Sequence, residues 1–146
     1  MPIMTDIFSD ARTAERITFI WTLIKEEKML LCSYIYIPVS DLDKSAEWYE
    51  EHLGFRVTLK DPLYYELSTE NGIRIMLLPN GEHINSQLNF SDGENPAYGF
   101  IVDDIDSIRE KLISDNVKVG EMFDYQGRSF SFFDPDGNKI ELWEVW

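Results

Sequence analysis

Hydrophobic and polar residues alternate over several short stretches of the chain, which is typical of strands with one buried face. Ile35, Ile37 and Val39 alternate with tyrosine and proline, and this pattern predicts a strand over residues 30–39. Residues 41–53 carry apolar side chains at helical spacing and predict an amphipathic helix. Three further strands are predicted over 55–60, 63–69 and 72–79.

The same order of elements returns in the second half of the chain. The letters VSDLD of residues 39–43 match VDDID of residues 102–106, and each copy opens a helix. We expect the aspartates at these helix starts to act as N-caps and not in catalysis. The second copy predicts a strand over 98–102, a helix over 103–116 and strands over 117–124, 127–133 and 139–145.

This internal repeat predicts the domain organisation. It indicates an α+β protein built from two tandem βαβββ modules, residues 30–80 and 97–146, which together form one domain. Residues 81–96 are polar and rich in glycine, asparagine and serine, so they are predicted to be a linker.

Residues 1–29 are predicted to form a helical extension before the first module. Residues 9–28 have a helical pattern with an apolar stripe that must cover the domain's own sheet or a partner subunit. Residues 25–28 must be encoded almost wholly by purines, directly before Met29. This leads to the hypothesis that translation starts at Met29 and that residues 1–28 do not belong to the natural protein.

Composition excludes several classes of function. The 146 residues include 44% hydrophobic and 14% aromatic residues, which is typical of a packed globular protein. The formal net charge of −14 argues against nucleic acid or an anionic membrane as a partner. Cys32 is the single cysteine, and the longest apolar run near the N-terminus is too short to span a bilayer. The sequence therefore predicts a cytoplasmic protein.

The last predicted strand carries the main candidate for chemistry. In FFDPDGNKIELWE, residues 132–144, the letters DPDGN are typical of a tight turn between two strands. Glu141 lies between Ile140 and Leu142, so it points to the face opposite these two apolar residues. Such a carboxylate can ligate a metal, act as a base or line a pocket, and the last strand alone leaves these three roles open.

The two module openings and the closing strand resemble the vicinal oxygen chelate superfamily. This group includes glyoxalase I, extradiol dioxygenases, methylmalonyl-CoA epimerase, fosfomycin-resistance enzymes and bleomycin-resistance binding proteins. The resemblance covers about residues 30–146. It implies two curved mixed sheets whose concave faces enclose a pocket, completed by dimerisation or domain exchange, and hence a homodimer.

The resemblance also locates the positions that hold a metal in the metal-dependent members. In this chain they are Tyr34, Met76, Ala97 and Glu141. Only Glu141 is a good ligand for a hard divalent metal, and neither of the two histidines, His52 and His83, falls at a ligand position. No cofactor is therefore predicted, and a divalent metal at these positions is not expected.

The alternation predicts which residues face the pocket. The predicted ligand-binding residues are Tyr34, Tyr36, Arg74, Met76, Ser129, Ser131, Glu141 and Trp143. Together they would form an aromatic cavity with a few fixed polar groups. Each has a simpler reading: the tyrosines and Met76 as packing residues, Arg74 as a surface ion pair with Glu66, and Glu141 as an ancestral residue without a present role.

Three functions remain open, and the sequence does not decide whether the protein is an enzyme. The favoured hypothesis is a metal-free binding protein for a small aromatic or cationic molecule, of the bleomycin-resistance type. The alternative is a glyoxalase-type lyase or isomerase, in which Glu141 is the general base or a metal ligand. The third is a structural subunit that docks through the N-terminal stripe.

Overall fold

The computed structural model describes Arg12, residues 14–16 and residues 29–144. The four described residues of the predicted helix over 9–28 are helical, and the rest of that prediction, including its apolar stripe, lies outside the described residues. The chain from Ser33 onward forms one compact unit. No helix in the described parts of the chain is long and apolar enough to cross a membrane.

The first module forms a four-stranded mixed sheet in the order β1-β4-β3-β2. Strand β1 begins at Ile35, later than the alternation predicts, and Ile35 pairs with Ile75 near the start of β4. Strand β1 runs parallel to β4, and the other pairs are antiparallel. The elements are β1 Ile35–Val39, α1 Leu42–Leu53, β2 Arg56–Asp61, β3 Tyr64–Ser68 and β4 Arg74–Pro79.

A short hairpin lies in the region predicted to be a linker. Strand β5, Leu88–Phe90, pairs with strand β6, Gly93–Asn95, and both strands are exposed or partly exposed. The polar composition of residues 81–96 gave no indication of it. Its three-residue strands are too short for a hydrophobic alternation to be visible in the sequence.

The second module repeats the first, with strand order β7-β10-β9-β8 and the same parallel pairing at one edge. The prediction of two βαβββ modules in an α+β fold is confirmed. The predicted strand over 117–124 shortens to two residues, although Val119 still bridges Phe132. The elements are β7 Gly99–Ile101, α2 Ile105–Ser114, β8 Phe123–Asp124, β9 Arg128–Phe133 and β10 Lys139–Glu144.

The repeated aspartates start the two helices, as the sequence predicts. The Asp41 side chain accepts a hydrogen bond from the backbone N–H of Lys44 at 3.0 Å, and Asp104 accepts one from Ser107 at 3.1 Å. These bonds satisfy backbone donors that a helix leaves unpaired in its first turn. Both aspartates therefore have a structural role.

One hydrophobic core is shared by the two modules. On the core side of the two central strands, Ile75, Leu77, Ile140 and Leu142 are all buried, and Ile73, which the alternation also assigns to the core, is partly buried. The helix of the first module packs on the sheet of the second, where the ring of Trp48 stacks on Phe132 with centroids 6.2 Å apart. The core side of each sheet is thus covered, and the opposite face stays open.

Hydrogen bonds to the turn between β9 and β10 also join the modules, and the one from Tyr49 is buried. The Tyr49 hydroxyl donates to Asp134 at 2.6 Å, and the Asn138 amide donates both to Asp134 and to the Pro38 carbonyl at 2.8 Å. The backbone N–H of Ser40 donates to Asp136 at 3.0 Å. The turn between β9 and β10 is therefore attached to the end of β1 and the start of α1.

Replacing Tyr49 by Phe should destabilise the protein, because it leaves the buried Asp134 carboxylate without one of its donors. The expected loss in the free energy of unfolding is about 1–3 kcal/mol, measured by urea denaturation. Tyr65→Phe is the matched control, since the Tyr65 hydroxyl donates to Asp43 at 2.8 Å in an exposed position where water can replace it. Equal losses in both variants would contradict this role of Tyr49.

The effect of Tyr49→Phe should also depend on pH. Burial raises the pKa of Asp134, and the Tyr49 hydrogen bond opposes this rise. Because the pKa of Asp134 is raised in the folded state, the folded state favours the protonated carboxyl group. The free energy of unfolding therefore falls as the pH rises through that pKa and Asp134 ionises. The loss caused by Tyr49→Phe should therefore be largest at neutral pH and should shrink as the pH falls and Asp134 becomes protonated. A pH-independent difference between wild type and variant would contradict this.

Candidate functional site

The open face of the first sheet carries both tyrosines predicted to bind a ligand, and we call it the tyrosine face. Tyr34 and Tyr36 are 50% and 52% exposed, and their rings meet edge to face with centroids 5.0 Å apart. Tyr36 pairs in register with Met76. The tyrosine face comprises Tyr34, Tyr36, Tyr64, Glu66, Arg74 and Met76.

The polar groups of the tyrosine face largely neutralise one another. The Arg74 Nε lies 3.5 Å from Oε1 of Glu66 on the neighbouring strand. The hydroxyl of Tyr34 is the main cause that raises the pKa of Tyr36 above its usual value, so Tyr36 stays a neutral phenol at physiological pH. The tyrosine face therefore combines an aromatic patch with one internal ion pair. Arg56, in register with Ser68 and Arg74, lies exposed at the outer edge of the same open face.

The open face of the second sheet carries the carboxylate, and we call it the Glu141 face. Glu141 pairs in register with Gly99 on one side and Ser131 on the other. Phe130 and Phe132 are buried, so the alternating serines share the face of Glu141. The Glu141 face comprises Gly99, Ile101, Phe123, Ser129, Ser131, Glu141 and Trp143.

Two apolar members of the Glu141 face were not predicted from the sequence. Ile101 is 66% exposed beside Trp143, and Phe123 is 62% exposed beside Ser129. Alternation from Gly99 would have placed Ile101 on this face. Phe123 lies on a strand of two residues, for which the sequence has no periodic signal.

The Glu141 carboxylate borders a small depression and has no partner in the described chain. No hydrogen bond or ion pair joins the carboxylate to another described residue. The depression has a volume of about 210 Å³ and is lined by Gly99, Phe100, Ile101, Glu141 and Trp143. The cation next to it on β10, Lys139, donates instead to the Glu94 carbonyl at 3.0 Å. A carboxyl group without a partner among the described residues therefore lies beside mainly apolar groups.

The structure collects the predicted ligand-binding residues into two separate groups. Tyr34, Tyr36, Arg74 and Met76 lie on the tyrosine face; Ser129, Ser131, Glu141 and Trp143 lie on the Glu141 face. Within the described chain, no hydrogen bond, ion pair or ring contact links one face to the other. A cleft of about 440 Å³ reaches Gly99 and Ile101 at the edge of the second sheet. Of the four predicted residues on the tyrosine face, only Arg74 lines this cleft.

The side chains on the central strands of the two open faces do not fit a divalent metal. Strand register places Tyr36 beside Met76. It places Gly99 beside Glu141, whereas Ala97 lies before the strand and is exposed. Tyr36 offers a phenol, Met76 a thioether and Gly99 no side-chain donor, so Glu141 supplies the one carboxylate. First-row metals in proteins take several imidazole and carboxylate ligands. His52 is engaged elsewhere, with Nδ1 3.1 Å from Asp115 between the two helices. The absence of a metal cofactor stays a prediction.

Comparisons with known proteins identify the family and the fold. The model of the Glyoxalase/Bleomycin resistance protein/Dioxygenase superfamily matches residues 32–142. The chain is similar to TnmS3, an antibiotic binding protein from Streptomyces sp. CB03234, with a TM-score of 0.66, 23% identity, and coverage of 80% of this chain and 97% of that one. None of the curated proteins compared matches the sequence significantly.

Two further solved structures share the fold but carry names of enzymes or resistance factors. The fosfomycin resistance protein FosX from Listeria monocytogenes gives a TM-score of 0.65 at 18% identity, with 82% of this chain and 96% of that one covered. Lactoylglutathione lyase from Agrobacterium tumefaciens gives 0.61 at 18% identity, with the same coverage. Identities this low establish a shared fold, and this fold hosts different functions.

Gly99 should be sensitive to substitution, because β7 approaches β10 closely at this point. A Cβ atom on Gly99 would lie 2.5 Å from the Glu141 carbonyl oxygen and 3.2 Å from the Glu141 Cβ. Gly99→Ala should therefore lower the free energy of unfolding by about 1–3 kcal/mol in urea denaturation. Gly81→Ala is the control, since a Cβ there would meet no atom within 4 Å. A neutral Gly99→Ala would mean that the two strands are further apart than described.

Proposed function

Because the chain belongs to the Glyoxalase/Bleomycin resistance protein/Dioxygenase superfamily, we propose that it binds a small organic cation with an aromatic part. The observation that carries this proposal is the Glu141 carboxylate, which has no partner among the described residues and stands beside Ile101 and Trp143. A ligand that brings a positive charge to this point would supply the missing partner. The proposed role is binding or sequestration.

The surroundings of Glu141 favour a cation with apolar or aromatic groups over an inorganic ion. Trp143 and Phe123 offer aromatic faces, which attract ammonium groups as well as flat ligands. A ligand that covers the exposed apolar side chains of this face would gain binding free energy, because it removes apolar surface from water. A chain with a formal net charge of −14 also disfavours an anionic ligand.

The site is proposed to be completed by a second copy of the chain. Each open face holds only half of the predicted pocket, and each exposes large apolar side chains to solvent, among them Tyr34, Tyr36, Ile101 and Phe123. Exposed apolar surface of this extent often marks an interface or a ligand site. In the proposed homodimer, the aromatic patch of the tyrosine face of one copy covers the Glu141 face of the other. The cavity between them would be aromatic, with Glu141 as its main charge.

The catalytic alternative has weaker support. As a general base in a lyase or isomerase, Glu141 would need a nearby group to stabilise the oxyanion that proton abstraction creates. Arg74 is paired with Glu66 on the other sheet, and Lys139 donates to the Glu94 carbonyl. Turnover of a methylglyoxal–thiol hemithioacetal that is faster with wild type than with Glu141→Gln would favour the alternative.

Glu141→Gln should weaken binding of a cationic probe. With phenylbutyl trimethylammonium as the probe, we expect about a tenfold rise in Kd by isothermal titration calorimetry, because the amide removes the charge and keeps the shape. Glu110→Gln is the matched control, since Glu110 is exposed on α2 and its substitution changes the net charge equally.

The charge of the probe provides a second control for the same experiment. The neutral analogue, in which a carbon replaces the ammonium nitrogen, should bind wild type and Glu141→Gln equally weakly. Equal loss of affinity in Glu141→Gln and Glu110→Gln would show that only net charge matters. Equal affinity of wild type for the charged and neutral probes would overturn the proposed function.

Tyr36→Glu should separate the two copies and abolish binding. A negative charge placed at the centre of the tyrosine face would be buried against the Glu141 face in the dimer, where it meets a like charge and no cation, which is costly. We expect a shift from dimer to monomer by light scattering coupled to size-exclusion chromatography, together with loss of affinity for the cationic probe. Ile113→Glu is the control, because Ile113 is 47% exposed on α2, away from both open faces. A monomeric Tyr36→Glu that binds as tightly as wild type would contradict a site shared between copies.

A further inference from the structure

The indole N–H of Trp143 is buried and has no hydrogen-bond partner in the described chain. Buried donors are nearly always paired, because an unpaired donor has lost its bonds to water and gained none in return. Trp143 lies on the Glu141 face, two residues beyond Glu141 on strand β10. An unsatisfied donor at this place requires a physical explanation.

Gly127 lies against this N–H, in the turn of residues 125–127 that joins β8 to β9. Gly127 has a φ of 125°, and a Cβ on this residue would collide with the Trp143 indole nitrogen and lie 2.5 Å from the Glu144 carbonyl oxygen. Only glycine therefore allows the turn to lie this close to the indole. The backbone of the turn excludes water from the N–H without offering it an acceptor.

This turn is held by few contacts. Strand β8 has only two residues, and within the turn the backbone N–H of Tyr125 donates to the Gly127 carbonyl at 2.9 Å. The Tyr125 side chain is 77% exposed, and Gln126 has a φ of 51°, which is uncommon for a residue other than glycine. Arg128, directly after the turn, is held by ion pairs with Asp106 and Glu144 at 2.9 Å, so any opening is confined to residues 125–127.

We propose that the Trp143 N–H is a recognition donor for the ligand and that residues 125–127 are its removable cover. This rests on the proposed function, in which Glu141 holds a cation. The ligand would then be an organic cation that also carries a strong hydrogen-bond acceptor, such as a carbonyl group. Glu141 and Trp143 are alternate residues on one strand, so the two groups of the ligand lie on the order of 7 Å apart.

The cover is tested first in the free protein, without any ligand. Hydrogen exchange of the Trp143 indole N–H, assigned by its loss in Trp143→Phe, is followed by NMR together with the backbone amides of Phe130 and Leu142 in the same sheet. The expected result is indole exchange at least about tenfold faster than exchange at these two amides. Indole exchange as slow as at the amides would mean that the turn opens only when the sheet unfolds, and would overturn the proposal.

The recognition role is tested with two matched cations. One is a phenyl propyl ketone with a terminal trimethylammonium group, and the other is phenylbutyl trimethylammonium, which differs only in lacking the carbonyl oxygen. We expect wild type to bind the ketone about fivefold more tightly, as one hydrogen bond would give. Trp143→Phe should bind both equally, and the indole N–H signal should move downfield only with the ketone.

The outcomes separate this inference from the proposed function. Glu141→Gln should weaken binding of both cations by the same factor and leave the preference for the ketone intact. Equal affinity of wild type for the two cations, or a preference that persists in Trp143→Phe, would overturn the inference alone. If neither cation bound to wild type, the proposed function and this ligand class would both be overturned.

Discussion

A buried network of hydrogen bonds around Asp134 determines how the two modules are arranged. Its carboxylate accepts from the Tyr49 hydroxyl and the Asn138 amide, while the same amide donates to the Pro38 carbonyl. One turn of the second module is thereby attached to the first strand and first helix of the first module. A buried carboxylate is costly unless its lone pairs are satisfied, so the network tolerates little variation in the position of this turn.

The position of the turn sets the register of strand β10 and therefore the chemistry of the open face. The strand begins at Lys139, directly after the turn, so Ile140 and Leu142 enter the shared core while Glu141 and Trp143 face outward. A shift by one residue would bury the carboxylate and expose two core residues. The unpaired charge of Glu141 is thus a consequence of the same constraint that joins the modules, and it is retained because the core fixes the strand.

The repeat, the helix starts and the core positions were predictable because each depends on local periodicity. Alternation around Ile75 and Ile140 marks the buried face, and the aspartates before α1 and α2 act within one helical turn. The start of β1 at Ile35 and the pairing of Gly99 with Glu141 depend instead on which residues the partner strand offers. Phe123 reaches the Glu141 face only through such pairing, and its two-residue strand has no pattern to read.

The side chains on the two open faces bear on what the fold can bind. At the positions where the resemblance places metal ligands, this chain has Tyr34, Met76 and Ala97 beside the one carboxylate, Glu141. The proposed function rests on this set, because a carboxylate without a partner among the described residues is matched by a ligand that carries a positive charge. The exposed aromatic groups on both faces favour a ligand whose charge lies on an apolar or aromatic framework. In the proposal the two features act together, the carboxylate through its charge and the aromatic groups through the apolar area that a ligand covers.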